Sequence, residues 1–232
     1  MIIRTILVCL VVLALGSPAR AMERLTLGCG DDTMSLASLE VLKAAYARLD
    51  VDVDAERLPA ARSMEQADSG VVDGEIIRIK AIEGECPNLV RVDVPINHVV
   101  GIILTCGRTI DPVTLDKARE LRLGVRIGNR YAEKLTGDFP RVLRLPDIDQ
   151  LLKLLLARRL DAVLVDRYWA ETRLGEPGME CLRINEPPVA VLPLYHYLHR
   201  RHADLVPAIT AELEDMRADG EIQRILAAYG TR

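Results

Sequence analysis

Segments with a strand period and segments with a helix period take turns along this chain, and the alternation runs through twice. Leu25–Gly28 reads as a short apolar strand ending in Cys29-Gly30-Asp31-Asp32. Asp32 or Thr33 can cap the next helix, whose apolar positions Leu36, Leu39, Leu42, Tyr46 and Leu49 keep helical spacing. Val51–Leu58 alternates valine with acid, as a half-buried strand does. Ala60–Ser69 is a short helix led by Pro59 and closed by Gly70. Val71–Ile79, Val90–Val94 and Val99–Thr105 read as three more strands. The second round begins with strand Leu121–Ile127 and a Gly128-Asn129-Arg130 turn that opens a helix near Tyr131. Strand Val142–Leu145 follows, then a helix through Leu156 capped by Asp147, with Gln150 placed to complete a capping box. Ala162–Val165 is a strand running into Asp166, and a helix continues through Leu174. Cys181–Ile184 and Val189–Leu192 are strands, and Asp204–Tyr229 is helical, broken near Gly220. Such alternation predicts an α/β fold with mainly parallel sheets. No Pro/Gly/Ser-rich linker divides the two rounds, so two lobes would be joined by hinge strands rather than a tether.

The N-terminus predicts export. Arg4 precedes an uncharged run of 11 residues, Thr5–Leu15, and Ala19-Arg20-Ala21 forms a small-x-small cleavage site. The run is too short for an anchor helix. Residues 1–21 are therefore read as a signal peptide cleaved after Ala21, delivering the chain to the periplasm. That segment holds two of the 30 basic residues and none of the 34 acidic ones, so the remainder is more acidic than the net −4 of the whole chain. An acidic exported chain without a basic block is a poor partner for nucleic acid. Cys29, Cys86, Cys106 and Cys181 follow the signal, an even number that suggests two disulfides in an oxidising compartment. None forms a CxxC pair, and no Cys/His spacing suits a metal. No serine elbow, phosphate loop or Rossmann glycine triplet is present. His196, His199 and His202, if helical, spread over a solvated face and carry no metal site.

Three stretches resemble the periplasmic solute-binding proteins of the amino-acid (family 3) type, receptors of ABC importers. They are Pro59-Ala60-Ala61-Arg62 through Ser69-Gly70-Val71-Val72-Asp73-Gly74-Glu75, then Leu115–Gly128, then Leu151–Ala170. The closing segment Leu194–Ala228 is similar to the C-terminal helices that return to the first lobe. The resemblance implies a two-lobe type II clamshell with two hinge strands. Lobe one would be residues 22–104 plus 187–232, and lobe two 105–186. Members usually carry a Gly-Met-Thr-x-x-Arg loop after the first-lobe aspartate strand. Here the stretch reads Asp73-Gly74-Glu75-Ile76-Ile77-Arg78-Ile79-Lys80, so the likeness is to a divergent branch with an unassigned ligand.

On this reading Arg78 and Arg62 offer guanidinium forks to a carboxylate or phosphate. Asp166, at the end of a buried strand, holds the ligand's ammonium or caps the following helix. Tyr168 follows it, and Asn129 and Arg130 open a helix whose N–H groups suit an anion. Asp31 and Glu75 complete the candidate set. Arg78 and Asp166 would come from opposite lobes and bridge a zwitterion. The implied protein is a monomer that binds a small, charged, amino-acid-like solute without catalysis, cofactor or metal. It would pass the solute to an ABC transporter permease or a membrane sensor. The alternative is a lyase on the same scaffold, like cyclohexadienyl dehydratase, with Glu75 or a cleft histidine as general acid. The clamshell pairs Cys106 with Cys181 and Cys29 with Cys86.

Overall fold

The structure, a computed structural model, describes residues 23–30, 32–111 and 113–230. The proposed signal segment and Asp31 lie outside the described residues. Strand β1 (Glu23–Cys29) pairs in parallel with β2 (Val51–Arg57) on one side and β3 (Gly74–Ile79) on the other. Helix α1 (Thr33–Ala47) connects β1 to β2; Asp32 caps it, accepting a bond from the Ser35 N–H at 2.9 Å. Helix α2 (Ala60–Ser69) connects β2 to β3 and ends at left-handed Gly70. The third strand starts three residues later than its apolar pattern predicts, because Val71 is exposed in the turn. A side chain at Gly74 would meet the Tyr197 carbonyl at 2.1 Å, so glycine is what lets β3 approach its neighbour.

Two strands of 18 residues then run through the whole molecule: β4 (Leu89–Cys106) and β8 (Leu182–His199). They pair antiparallel along nearly their full length, with register shifts that include Gly101/Ile103. The sequence pattern predicts four shorter strands here. Pairing of β4 with β8 on both sides of each interruption fuses them into two long strands, with the register shifting at Arg91/Pro95 and Gly101/Ile103.

The second half repeats the first. β5 (Leu123–Arg126) lies between β6 (Val142–Leu145) and β7 (Ala162–Asp166), all parallel. Helices α3 (Leu115–Arg119), α4 (Arg130–Leu135), α5 (Ile148–Leu156) and α6 (Arg167–Arg173) belong to this half. Asp147 caps α5 through the Asp149 N–H at 2.8 Å, and no Gln150 bond completes the expected box among the described residues. The chain ends in α7 (Val206–Ala218) and α8 (Glu221–Ala228), broken at Gly220 as its sequence predicts. The eight strands of the described residues form one sheet, ordered β2-β1-β3-β8-β4-β7-β5-β6. Leu25, Leu27, Leu42, Ile209 and Leu213 fill the first half's core; Leu151, Leu155, Val163 and Leu182 fill the second's. Among the described residues no helix is long and apolar enough to cross a membrane.

Two expectations are corrected. Cys106 and Cys181 are bonded, with Cα atoms 4.8 Å apart, but Cys29 and Cys86 are free. Cys29 packs with Leu25 and Leu42, whereas Cys86 packs with Ile82 and Leu89 in a different cluster. Each is buried as a small apolar side chain, and burial raises both thiols to about 11, away from the reactive thiolate. The three histidines do not share a helix. His196 lies inside β8, fully buried, and His199 ends that strand. His202 sits in the 3-10 segment Arg200–Leu205 and bonds Asp73 at 2.6 Å. Pairing of β8 with both β3 and β4 overrides the helical reading of Leu194–His199.

Candidate functional site

Parallel strands point their C-terminal ends toward one side of a sheet, and α/β folds place ligands there. Here the two parallel sets converge. The ends of β2 and β3 from one half face the ends of β5 and β7 from the other across a cavity of about 580 Å³. That volume suits a small metabolite.

Arg78 lines the first wall. It follows the apolar pair Ile76-Ile77 on β3 and is held from behind. One guanidinium nitrogen lies 2.8 Å from Glu75 and donates to the Ala60 carbonyl at 3.3 Å. Glu75 itself is almost wholly buried behind Arg78 and is not part of the cavity wall. Burial pushes its carboxyl up, and the Arg78 charge opposes that rise. The Ser63 hydroxyl is buried beside Glu75, and the Arg78 Nε is buried with no hydrogen-bond partner among the described residues.

Asp166 lines the opposite wall, at the end of β7. It is also the N-cap of α6: its oxygens accept from the Tyr168 N–H at 2.9 Å and the Val100 N–H at 3.1 Å. The capping role foreseen for this residue is met, and the same carboxyl lines the cavity. Burial raises its pKa, and those backbone N–H groups pull the other way. Tyr168 and Trp169 both line the cavity.

Asn129 and Arg130 reach the wall as well, but the anion position at the start of α4 is filled from within. Glu133 accepts the Gly128 N–H at 2.9 Å and pairs with Arg130 at 3.2 Å. Arg62 is exposed on α2 and is not among the lining residues. Sequence reasoning missed Arg57, Arg126 and Tyr131, all of which line the cavity. Arg57 ends β2 and Arg126 ends β5. The strand-end rule that singled out Asp166 finds both when applied to every strand. Tyr131 carries no such signal, since its place depends on how α4 seats against β5.

The two halves touch around the rim. Gly128, at φ +85°, sits so near Ala60 that a side chain there would contact it at 3.7 Å. Lys134 donates to the Ala81 carbonyl at 2.6 Å, and Glu85 lies 3.3 Å from Lys134 and 3.2 Å from Arg130. On the other rim the Tyr168 hydroxyl donates to the Tyr229 carbonyl at 3.1 Å. The cavity is thus walled by both halves and bounded by contacts between them.

No protein-family model matches this sequence, and no curated protein matches it. Solved structures do. An ancestral arginine-binding protein bound to arginine is 18% identical, with a TM-score of 0.72 over 90% of this chain and 99% of its own. The periplasmic binding protein of an arginine transport system from Legionella pneumophila is 17% identical, with a TM-score of 0.70 over 89% and 99%. An amino acid ABC transporter substrate-binding protein from Streptococcus pneumoniae, bound to L-arginine, is 13% identical, with a TM-score of 0.70 over 89% and 94%. These neighbours are substrate-binding proteins, and the chain shares their two-lobe α/β fold, that of type II periplasmic binding proteins, with parallel strand sets joined by two long strands.

Proposed function

We propose that this chain is an exported receptor that binds a small amino-acid-like solute between its lobes. The reading takes residues 22–104 with 187–232 as one lobe and 105–186 as the other, with β4 and β8 as the hinge. One observation carries it: a cavity of about 580 Å³ between opposed strand ends, with Arg78 in one wall and Asp166 in the other. A zwitterion spanning that gap binds the closed form better than the open one, and only such a difference can drive closure. The rim contacts of Lys134, Glu85 and Tyr168 support closure, because they form only when the halves approach. The arginine-binding and transport-system neighbours support an amino-acid-like ligand and delivery from the periplasm to an ABC transporter; the reading takes the receptor as a monomer, with signalling to a membrane sensor as the other outlet. The reading involves no catalysis. A lyase role through Glu75 would need that acid to face the ligand, and it lies behind Arg78 instead.

The test is calorimetric titration of parent and variants with amino acids. Arg78→Ala should lose on the order of 2–5 kcal/mol of affinity, the scale for truncating one partner of a buried charge pair. Arg119→Ala, whose partner Asp138 is exposed, should bind normally. Parent-like affinity for Arg78→Ala and Asp166→Asn together would sink the two-wall reading.

A further inference from the structure

The hydrogen-bonding capacity of the cavity is lopsided. Among the described residues its carboxylates are engaged. The two oxygens of Asp32 take the Ser35 N–H at 2.9 Å and the Ser35 hydroxyl at 2.8 Å. Those of Asp166 take the Val100 and Tyr168 N–H groups. The donors are not engaged to the same degree. Arg57 and Arg126 enter the wall from opposite halves, and neither forms an ion pair among the described residues. Among the described residues the Arg78 Nε is buried with no hydrogen-bond partner, and Arg78 and Tyr131 both line the cavity. Arg57, Arg78, Arg126 and Arg130 outnumber Asp32 and Asp166 in the wall.

A ligand that shuts this cavity from water must supply acceptors to those donors, since buried unpaired donors are costly. A single carboxylate supplies two oxygens and matches one guanidinium fork. Arg78 faces one such group on the proposed function, and Arg57 and Arg126 remain for another. Among the described residues, a cationic side chain in that place would meet two guanidinium groups and no uncommitted carboxylate. We propose that the solute presents two anionic groups to this cavity, as an acidic amino acid does, and that Arg57 and Arg126 select the second one. The inference rests on the solute-binding reading but fails separately from it.

The exported protein is titrated with L-glutamate, L-aspartate, L-glutamine, L-arginine and succinate. Glutamate or aspartate should bind about tenfold or more tighter than glutamine, roughly 1.4 kcal/mol, and arginine more weakly still. Arg126→Gln and Arg57→Gln should each draw the glutamate-to-glutamine ratio toward one, whereas Arg119→Gln should leave it unchanged. Glutamine binding as tightly as glutamate, or arginine binding most tightly, overturns the inference and leaves the receptor reading intact. Binding of succinate with no amino acid keeps the two-anion requirement and removes the zwitterion. Binding of none of the five overturns both.

Discussion

The two halves of this molecule solve burial differently. Behind the cleft, the first half buries titratable groups. His196 is enclosed by the Glu75 carbonyl at 2.7 Å and the Tyr46 hydroxyl at 2.9 Å, and Glu75 pairs with Arg78. The second half centres on neutral polar groups that satisfy one another, although Tyr131 and much of Asp166 are buried there as well. Asn185 donates to the Ile103 carbonyl and the Thr105 hydroxyl, each at 2.9 Å, and accepts the Ile110 N–H at 2.7 Å. Its ends are then joined covalently by Cys106–Cys181. The first half is therefore exposed to protons and the second to reductants, because each is held by the chemistry that its agent attacks.

The largest expected effect tests the covalent side. The bridge closes a loop with a sequence separation of 75. Chain entropy for such a loop amounts to about 4 kcal/mol. Cys106→Ala with Cys181→Ala should lower the unfolding free energy by a value of that order. Hydrogen exchange should show β5 and β7 losing protection first. Equal loss in β1 and β2 would erase the contrast between the halves.

Acid should act on the other side. Burial pulls His196 down to about 4, well below its ordinary value of 6.5. The unfolded chain then binds the proton that the folded one refuses. Stability is full above pH 6.5, falls as pH drops through that value, and stops falling near pH 4. The loss approaches about 3 kcal/mol. Glu75 works in the opposite sense: its raised pKa means the folded state takes up a proton more readily as pH falls. Urea melts of the parent and His196→Gln at pH 7, 5.5 and 4 separate the two, since the variant should lose the His196 slope and keep the Glu75 one. A parent curve flat over this range, with no recovered slope in Glu75→Gln, would contradict the assignment.

The smallest effect lies where the halves meet. Tyr168→Phe removes one hydrogen bond to the Tyr229 carbonyl and should cost about 1 kcal/mol or less. Because that bond crosses the rim, the loss should appear in ligand affinity as faster release, with the melting of either half barely changed. A change confined to melting would make Tyr168 a structural tie only.

Much of this architecture was legible in the sequence because it is local. Alternation at Val51 and Val53, the Asp32 and Asp147 caps, Gly70 and Gly220 as helix ends, and Asp166 at a strand end all rest on neighbours a few residues away. The pairing of Cys106 with Cys181 was legible for a related reason: both flank strands that the two-lobe pattern brings side by side. Tertiary structure alone decided the rest. Nothing near Cys29 or Cys86 tells that they face different cores. The helical spacing of His196, His199 and His202 yielded to two neighbouring strands that claimed the same backbone. Glu133 filled the anion position at the start of α4, and Glu75 withdrew behind Arg78, through packing with no sequence signature. Local period and capping follow from backbone geometry, which the chain carries with it; which side chain reaches the cleft depends on elements far apart in sequence meeting at a few ångströms.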